Sequence, residues 1–237
     1  STRVRSSAAS DVYKRQDVKY KDISGPDGVP DGVIDDYDKT NIGSPMPKFT
    51  FGWTNTFRYK NFDLSVFING SYGNKVYNYL SMKLTHMNSP WTNQLNAVNG
   101  RAQLVPINPN KVYEDGTMWY NDVSNVMVAN PGASIPRATI NDPNDNDRIS
   151  DRYIEDGSYI RLKNISLGYT FPKKTIDKLG LSNLRIYANI QNLLTITGYD
   201  GYDPEIGAST SSVNVYGLDN GRYPSPTVYS FGLNVSF

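Results

Sequence analysis

Residues 227–237 read TVYSFGLNVSF. Tyr229, Phe231, Leu233, Val235 and Phe237 alternate with Ser230, Gly232, Asn234 and Ser236, a period of two held to the final residue. Successive side chains of a strand point to opposite faces, so one face is a row of large apolar groups and the other a row of small polar ones. An exposed aromatic row invites aggregation unless it meets a core or lipid. Two elements satisfy that demand: the last strand of a soluble β-sandwich, and a membrane-spanning strand, which needs about 9–11 residues of this pattern with aromatics near the interfaces. The segment has the length for the second.

The totals narrow the choice. The chain has 237 residues, 24 Lys plus Arg against 23 Asp plus Glu, 18 Tyr, 8 Phe and no Cys. Near-balanced charge with no basic stripe argues against nucleic acid as a partner, and the lack of cysteine excludes disulfides and thiolate metal sites. Apolar runs stay far below the roughly 20 residues of a spanning helix, so any span must be a strand. Residues 1–16, STRVRSSAASDVYKRQ, have neither apolar period nor signal-peptide core and resemble a translated adapter tail; the native reading starts near Asp17, and the whole is a fragment's length.

Further strands have the same period. Phe49, Phe51, Trp53, Asn55, Phe57 and Tyr59 alternate with Thr50, Gly52, Thr54, Thr56 and Arg58; after Lys60-Asn61, Phe62, Leu64, Val66 and Ile68 oppose Asp63, Ser65, Phe67 and Asn69. Two spanning-length strands on a minimal turn make a hairpin. Ser158 to Phe171 gives a third strand whose parity slips between Leu162 and Ile165, which predicts a bulge near Asn164. A turn over Pro172 to Asn183, with a short helical turn at Lys174 to Leu179, leads to a fourth strand around Leu184, Ile186, Ala188 and Ile190. The stretches 17–48, 73–157 and 195–226 are long connections, and they alternate with the short ones at 59–61 and 172–183. A membrane barrel sorts its loops in this way, long outside and short in the periplasm. Polar-parity residues Thr54, Arg58, Asp63, Asn69, Asn189 and Gln191 then face the lumen.

Candidate sites lie in the long connections. With Asp27 as position 1 of an EF-hand-like loop, Asp31 falls at 5, Gly32 at 6, Val33 at 7 through its carbonyl, Asp35 at 9 and Asp38 at 12, a hard-oxygen set suited to structural Ca²⁺. Position 3 is Val29 and position 12 is Asp rather than Glu, so a solvated acidic loop is the alternative; Asp22 can serve as first ligand if the loop carries an insertion around Pro26. Trp91, Tyr113, Trp119 and Tyr120 either stack on a sugar or hold a small core of their own long loop. His86, the single histidine, reads as a surface residue. No enzyme is expected: GxSxG and HExxH are absent, and the carboxylates of Asp142 to Asp151 and Asp200 to Glu205 sit in turn-forming stretches where solvated side chains are the rule.

The run DVKYKDISGPDGVPDGVIDDYDKTNIGSPMPKFTFGWTNTFRYKNFDLSVFINGSYGNKVYN, then SYIRLKNISLGYTFPKK, LRIYANIQNLLTITGYDGYDPEIG and the closing RYPSPTVYSFGLNVSF, resemble the SusC/RagA family of TonB-dependent outer-membrane transporters of Bacteroidota. The terminal Phe also resembles the end of outer-membrane barrels generally, where the assembly machinery reads it. The family's usual DxNGDGxID is replaced here by the longer SGPDGVPDG. The resemblance implies an antiparallel transmembrane barrel of about 22 strands with a plugged lumen, of which residues 17–237 supply the last five. It further implies a plug domain and TonB box upstream, a SusD-like surface lipoprotein, oligosaccharide or peptide cargo, and the outer membrane of a Gram-negative bacterium. The other reading left open is a soluble or surface carbohydrate-binding β-sandwich with a structural calcium loop.

Overall fold

A computed structural model describes residues 17–140, 142, 144–206, 208–209 and 212–237; the expectation for residues 1–16 lies outside this set. The chain forms two compact units, one from Gly43–Tyr77 with Glu155–Phe237, the other from Asn78–Ile154 with the described part of Ser1–Ile42.

The first unit is built on a five-stranded antiparallel sheet: β1 (Phe49–Tyr59), β2 (Phe62–Tyr72), β3 (Tyr159–Thr170), β4 (Asn183–Thr197) and β5 (Val228–Ser236), each beside its chain neighbour. All five are the strands expected from the alternation. Lys60, at φ 52, and Asn61 make the two-residue turn between β1 and β2. A helical turn Lys173–Ile176 and a 3-10 turn Asp177–Leu179 join β3 to β4, and Gly180 ends them at φ 69, a left-handed cap that costs glycine nothing.

Register carries each apolar set straight across the sheet. Tyr59, Phe62, Tyr169, Ile186 and Leu233 form one row; Phe57, Leu64, Leu167, Ala188 and Phe231 the next; Asn55, Val66, Ile165, Ile190 and Tyr229 the third. This face is bare: Phe231 is 84% exposed, Leu233 60%, Phe57 56% and Trp53 54%. Full burial of one such side chain is worth about 1.5–3 kcal/mol, so a whole wall of them in water is strongly unfavourable. Opposite it runs the polar face, with rows Arg58, Asp63, Gly168, Tyr187, Gly232 and Thr56, Ser65, Ser166, Asn189, Ser230. Two glycines there leave room for neighbours to lie flat. A Cβ on Gly232 would meet the Tyr187 ring, and one on Gly168 the Arg185 guanidinium and the Asp63 carboxylate.

The expected bulge is present. Phe67 and Ile68 of β2 pair with Asn164 and Leu162, which leaves Lys163 as the extra residue of β3. β4 breaks at the same height, where its register against β3 shifts and Asn192 adopts φ 51. Asn192 donates through Nδ2 to the Pro226 carbonyl and accepts from the Thr227 hydroxyl, so the irregularity reaches the start of β5.

The second unit covers most of what reads in the sequence as one long featureless loop. It has a core instead: Val18, Tyr20, Met82, Val98, Ala102, Val126, Ile135 and Tyr153 are buried. The helix Tyr79–Thr85, capped by Asn78 Oδ1 accepting from Ser81 N–H at 2.9 Å, and a short antiparallel pair, Leu104–Pro106 with Val126–Val128, are among its regular elements, beside several 3-10 turns. Among the described residues no helix is long and apolar enough to cross a membrane.

Candidate functional site

Arg161 stands on the polar face of β3, opposite Asn69 and Thr195, and is 2% exposed. A guanidinium this deep must have its donors engaged. Nε donates to Thr195 Oγ1 at 2.8 Å, Nη1 to Glu205 Oε2 at 2.7 Å and Nη2 to Asp203 Oδ1 at 2.5 Å, while the Tyr159 ring lies 5.5 Å from its carbon centre. The bulge adds a second cation: the extra residue Lys163 reaches the same Glu205 Oε2 through Nζ at 2.8 Å. Burial pushes the Asp203 carboxyl up, but amide donors from Ser225 and Glu205, with Arg161, outweigh it and hold the group below its ordinary value. Two cations and two carboxylates thus pin the segment around 203–205, and through Ser225 N–H the approach to β5, onto β3. Asp203 is 5% exposed, not the solvated turn residue expected of its stretch. The sequence signal was Arg161 itself, an arginine on the polar parity of a long strand that requires a counter-charge from elsewhere.

Nearer the other end of the polar face, Arg185 donates to Asp63 through Nη2 at 2.6 Å and Nε at 3.2 Å and lies 5.2 Å over the Tyr187 ring. Thr54, Arg58, Asp63, Asn69, Asn189 and Gln191, the residues expected on one face, do share it.

In the second unit the acidic loop is organised around Asp38, which is fully buried. Its Oδ1 accepts from the amides of Ile23 and Ser24 at 2.6 and 3.2 Å and its Oδ2 from that of Asp35 at 3.0 Å. Those amides, Ile23 and Asp35 foremost, hold its carboxyl below the usual range. Asp31 accepts from Val33 N–H, Asp35 from Tyr37 N–H and Asp22 from Gly32 N–H; Asp27 and Val33 are exposed. Among the described residues the side-chain group whose ligand atoms all lie within 4.8 Å of one another is not this loop but His86, Asp142 and Asp147.

His86 is not a surface residue, its side chain being 11% exposed. Nε2 lies 2.7 Å from Asp142 Oδ2 and Nδ1 3.5 Å from Asp147 Oδ2. Asn146 donates to Asp142 from both its amides and accepts from Val18 N–H at 2.7 Å. The cluster therefore ties three distant stretches of sequence together.

The aromatic candidates do not converge. Trp119 and Tyr120 contact each other edge to face at 5.7 Å. Tyr113 donates its hydroxyl to Asp122 at 2.8 Å, and Trp91 is 92% exposed. None of the four belongs to the buried core, which is aliphatic with Tyr20 and Tyr153. Asp122 also takes Lys111 Nζ at 2.5 Å and the Ser124 hydroxyl, and the lysine foremost holds its carboxyl far down.

A meander with one bare apolar face and one polar face carrying ion pairs and loop anchors is the architecture of a transmembrane β-wall. No protein-family model matches the chain. Curated relatives do: it is 36% identical to TonB-dependent receptor P3 of Formosa agariphila over 87% of the chain and 18% of that protein. It is 33% identical to TonB-dependent receptor P26 of the same organism over 92% and 19%, and 29% identical to TonB-dependent receptor SusC of Bacteroides thetaiotaomicron over 87% and 17%. The chain belongs to the SusC-like TonB-dependent receptors and spans about a fifth of the length of the curated relatives it matches. Among solved structures, the RagAB peptide transporter superposes on all of it with a TM-score of 0.69 at 18% identity, matching 22% of that chain. That likeness concerns the fold.

Proposed function

We propose that this chain is part of the barrel wall of an outer-membrane importer in a Bacteroidota-like bacterium, driven through TonB and serving large nutrients, oligosaccharides or peptides. The single observation that carries the reading is the sheet's bare apolar face, unbroken from β1 to β5, backed by a polar face with buried charge. In the whole protein the sheet continues into a closed barrel, and a SusD-like lipoprotein is the partner at the cell surface. The relatives' names, receptors and a peptide transporter, support import rather than catalysis. A soluble sandwich would pack this face against a second sheet, whereas the face is exposed.

Phe231→Lys in the full-length protein tests the membrane reading. At 84% exposure a soluble protein would register the change within about 0.5 kcal/mol. A lysine at mid-height of a lipid-facing wall costs about 2–4 kcal/mol. Unfolding in lipid vesicles distinguishes the two, and an unchanged midpoint would sink the proposal.

Substrate contact falls to the exposed Trp91 and Tyr120 and the half-buried Trp119 beside the latter, with Tyr113 as a support already engaged by Asp122. Calcium at the acidic loop would draw on Asp27, Asp31, Asp35, Asp38 and the Val33 carbonyl. As folded, Asp31, Asp35 and Asp38 accept from the loop's own amides, so their binding a cation requires the loop to rearrange. Calcium-dependent protection of residues 17–42 from proteolysis is the readout, and equal cleavage with calcium or with chelator would end that reading.

A further inference from the structure

On the bare face the rows are not level. Ala188 lies between Leu167 and Phe231, and in the adjoining row Ile186 lies between Tyr169 and Leu233. The small side chain leaves an almost wholly apolar groove across β3, β4 and β5, bounded by Phe62 and Tyr169 at the turn end. Its volume is about 560 Å³, within the roughly 300–1,000 Å³ of small-molecule sites. Phe62, Tyr169 and Phe171 form a contiguous aromatic edge there, the first pair tilted and the second edge to face, with ring centroids 4.7 and 5.0 Å apart. Immediately beyond that edge the connections carry Lys60, Lys173, Lys174 and Lys178, all exposed, against Asp177. No ion pair among the described residues uses any of the four; Lys60 rests over the Tyr59 ring at 5.3 Å. An apolar groove running up to an aromatic belt, with surplus lysines just outside it, matches one ligand shape: an acyl chain on an anionic headgroup.

We propose that this groove and its lysine rim bind an anionic glycerophospholipid of the periplasmic leaflet, the acyl chain over Ala188 and the phosphate at Lys60, Lys173, Lys174 and Lys178. The proposal rests on the membrane reading above. The lysines supply selectivity and the groove supplies retention, so the two are separable by mutation.

The test is native mass spectrometry of the full-length protein, extracted from outer membranes and equilibrated with equal phosphatidylglycerol and phosphatidylethanolamine. Each lysine near a charged lipid surface is worth about 1 kcal/mol, about fivefold in affinity, so a preference of at least about fivefold for phosphatidylglycerol is expected. Lys173→Gln/Lys174→Gln/Lys178→Gln, all on an exposed turn, removes the preference without unfolding the wall. Ala188→Leu fills the groove and lowers retention of both lipids. Equal retention by the unaltered protein, or an undiminished preference in the triple variant, overturns the lipid site alone. A protein missing from the outer-membrane fraction overturns the membrane reading and the lipid site with it.

Discussion

Arg161 holds a full charge at 2% exposure because every nitrogen of its fork has an oxygen. Removing one partner from such a buried set leaves the other uncompensated, at about 3–5 kcal/mol. Arg161→Gln is therefore expected to lower the unfolding midpoint in detergent and to open the segment around 203–205 to protease. Asp203→Asn should do nearly the same, and the double variant should cost less than the sum because the two share one interaction. Asp38 obeys a different variable. Its folded carboxyl titrates below the unfolded one, so its stabilisation is fully present above the ordinary Asp value of about 3.9 and is lost as pH falls through the lower folded value. Protection of the Ile23, Ser24 and Asp35 amides from hydrogen exchange, taken relative to the intrinsic rate at each pH, should be full at about pH 5 and fall away as pH drops below the ordinary Asp value of about 3.9. Asp38→Asn should give fast exchange at neutral pH. Gly232→Ala sets a Cβ into the Tyr187 ring and is expected to destabilise the β4–β5 pair, whereas Ser230→Ala, one polar row away, should be neutral.

At the scale of elements, the strands were legible because each is a long period-two run in which one parity is apolar and the other is not. Phe57 opposite Leu64 follows from the alternation and the two-residue turn, whereas Leu64 opposite Leu167 does not, because the long connection between β2 and β3 leaves their register open. The bulge was legible too, since Leu162 and Ile165 cannot share a face without an extra residue between them. The second unit left no such trace. Val98, Ala102, Val126 and Ile135 are isolated aliphatics joined only in space, and the backbone between them is held by Asn and Asp side chains, such as Asn125 Oδ1 to Asn108 N–H and Asn130 Oδ1 to Gln103 N–H. A pattern method sees only turn formers there. The Arg161 cluster was half legible: the carboxylates were noticed, but their partners lie 42 and 44 residues upstream. Deleting Lys163 tests how far register governs this sheet. Loss of one residue moves one half of β3 to the wrong face, so membrane assembly should fail, while Lys163→Gln, which keeps the backbone, should assemble normally.

For the molecule as a whole, the first unit has a face that water tolerates poorly and two outer strands, β1 and β5, each with an unpaired edge. The chain alone is expected to give a cooperative thermal transition in detergent and none as a soluble monomer in water. A sharp melt from a monodisperse aqueous sample would contradict the wall reading at its root. Length fits as well: eleven residues of β1 reach about 36 Å, or about 25–30 Å of height at barrel tilt, which matches an apolar band about 25 Å tall. The irregularity at Lys163 and Asn192 divides that height. Below it the rows are continuous across the sheet, and above it the charged anchors of the 195–226 connection begin. Such a joint works like an expansion gap in masonry: courses above it can be relaid without cracking those below. Insertions near the exposed Tyr202 or Tyr223 should therefore leave the lower rows in register, which makes that connection a place where descendants of this chain can vary in length and sequence while keeping the wall they are built on.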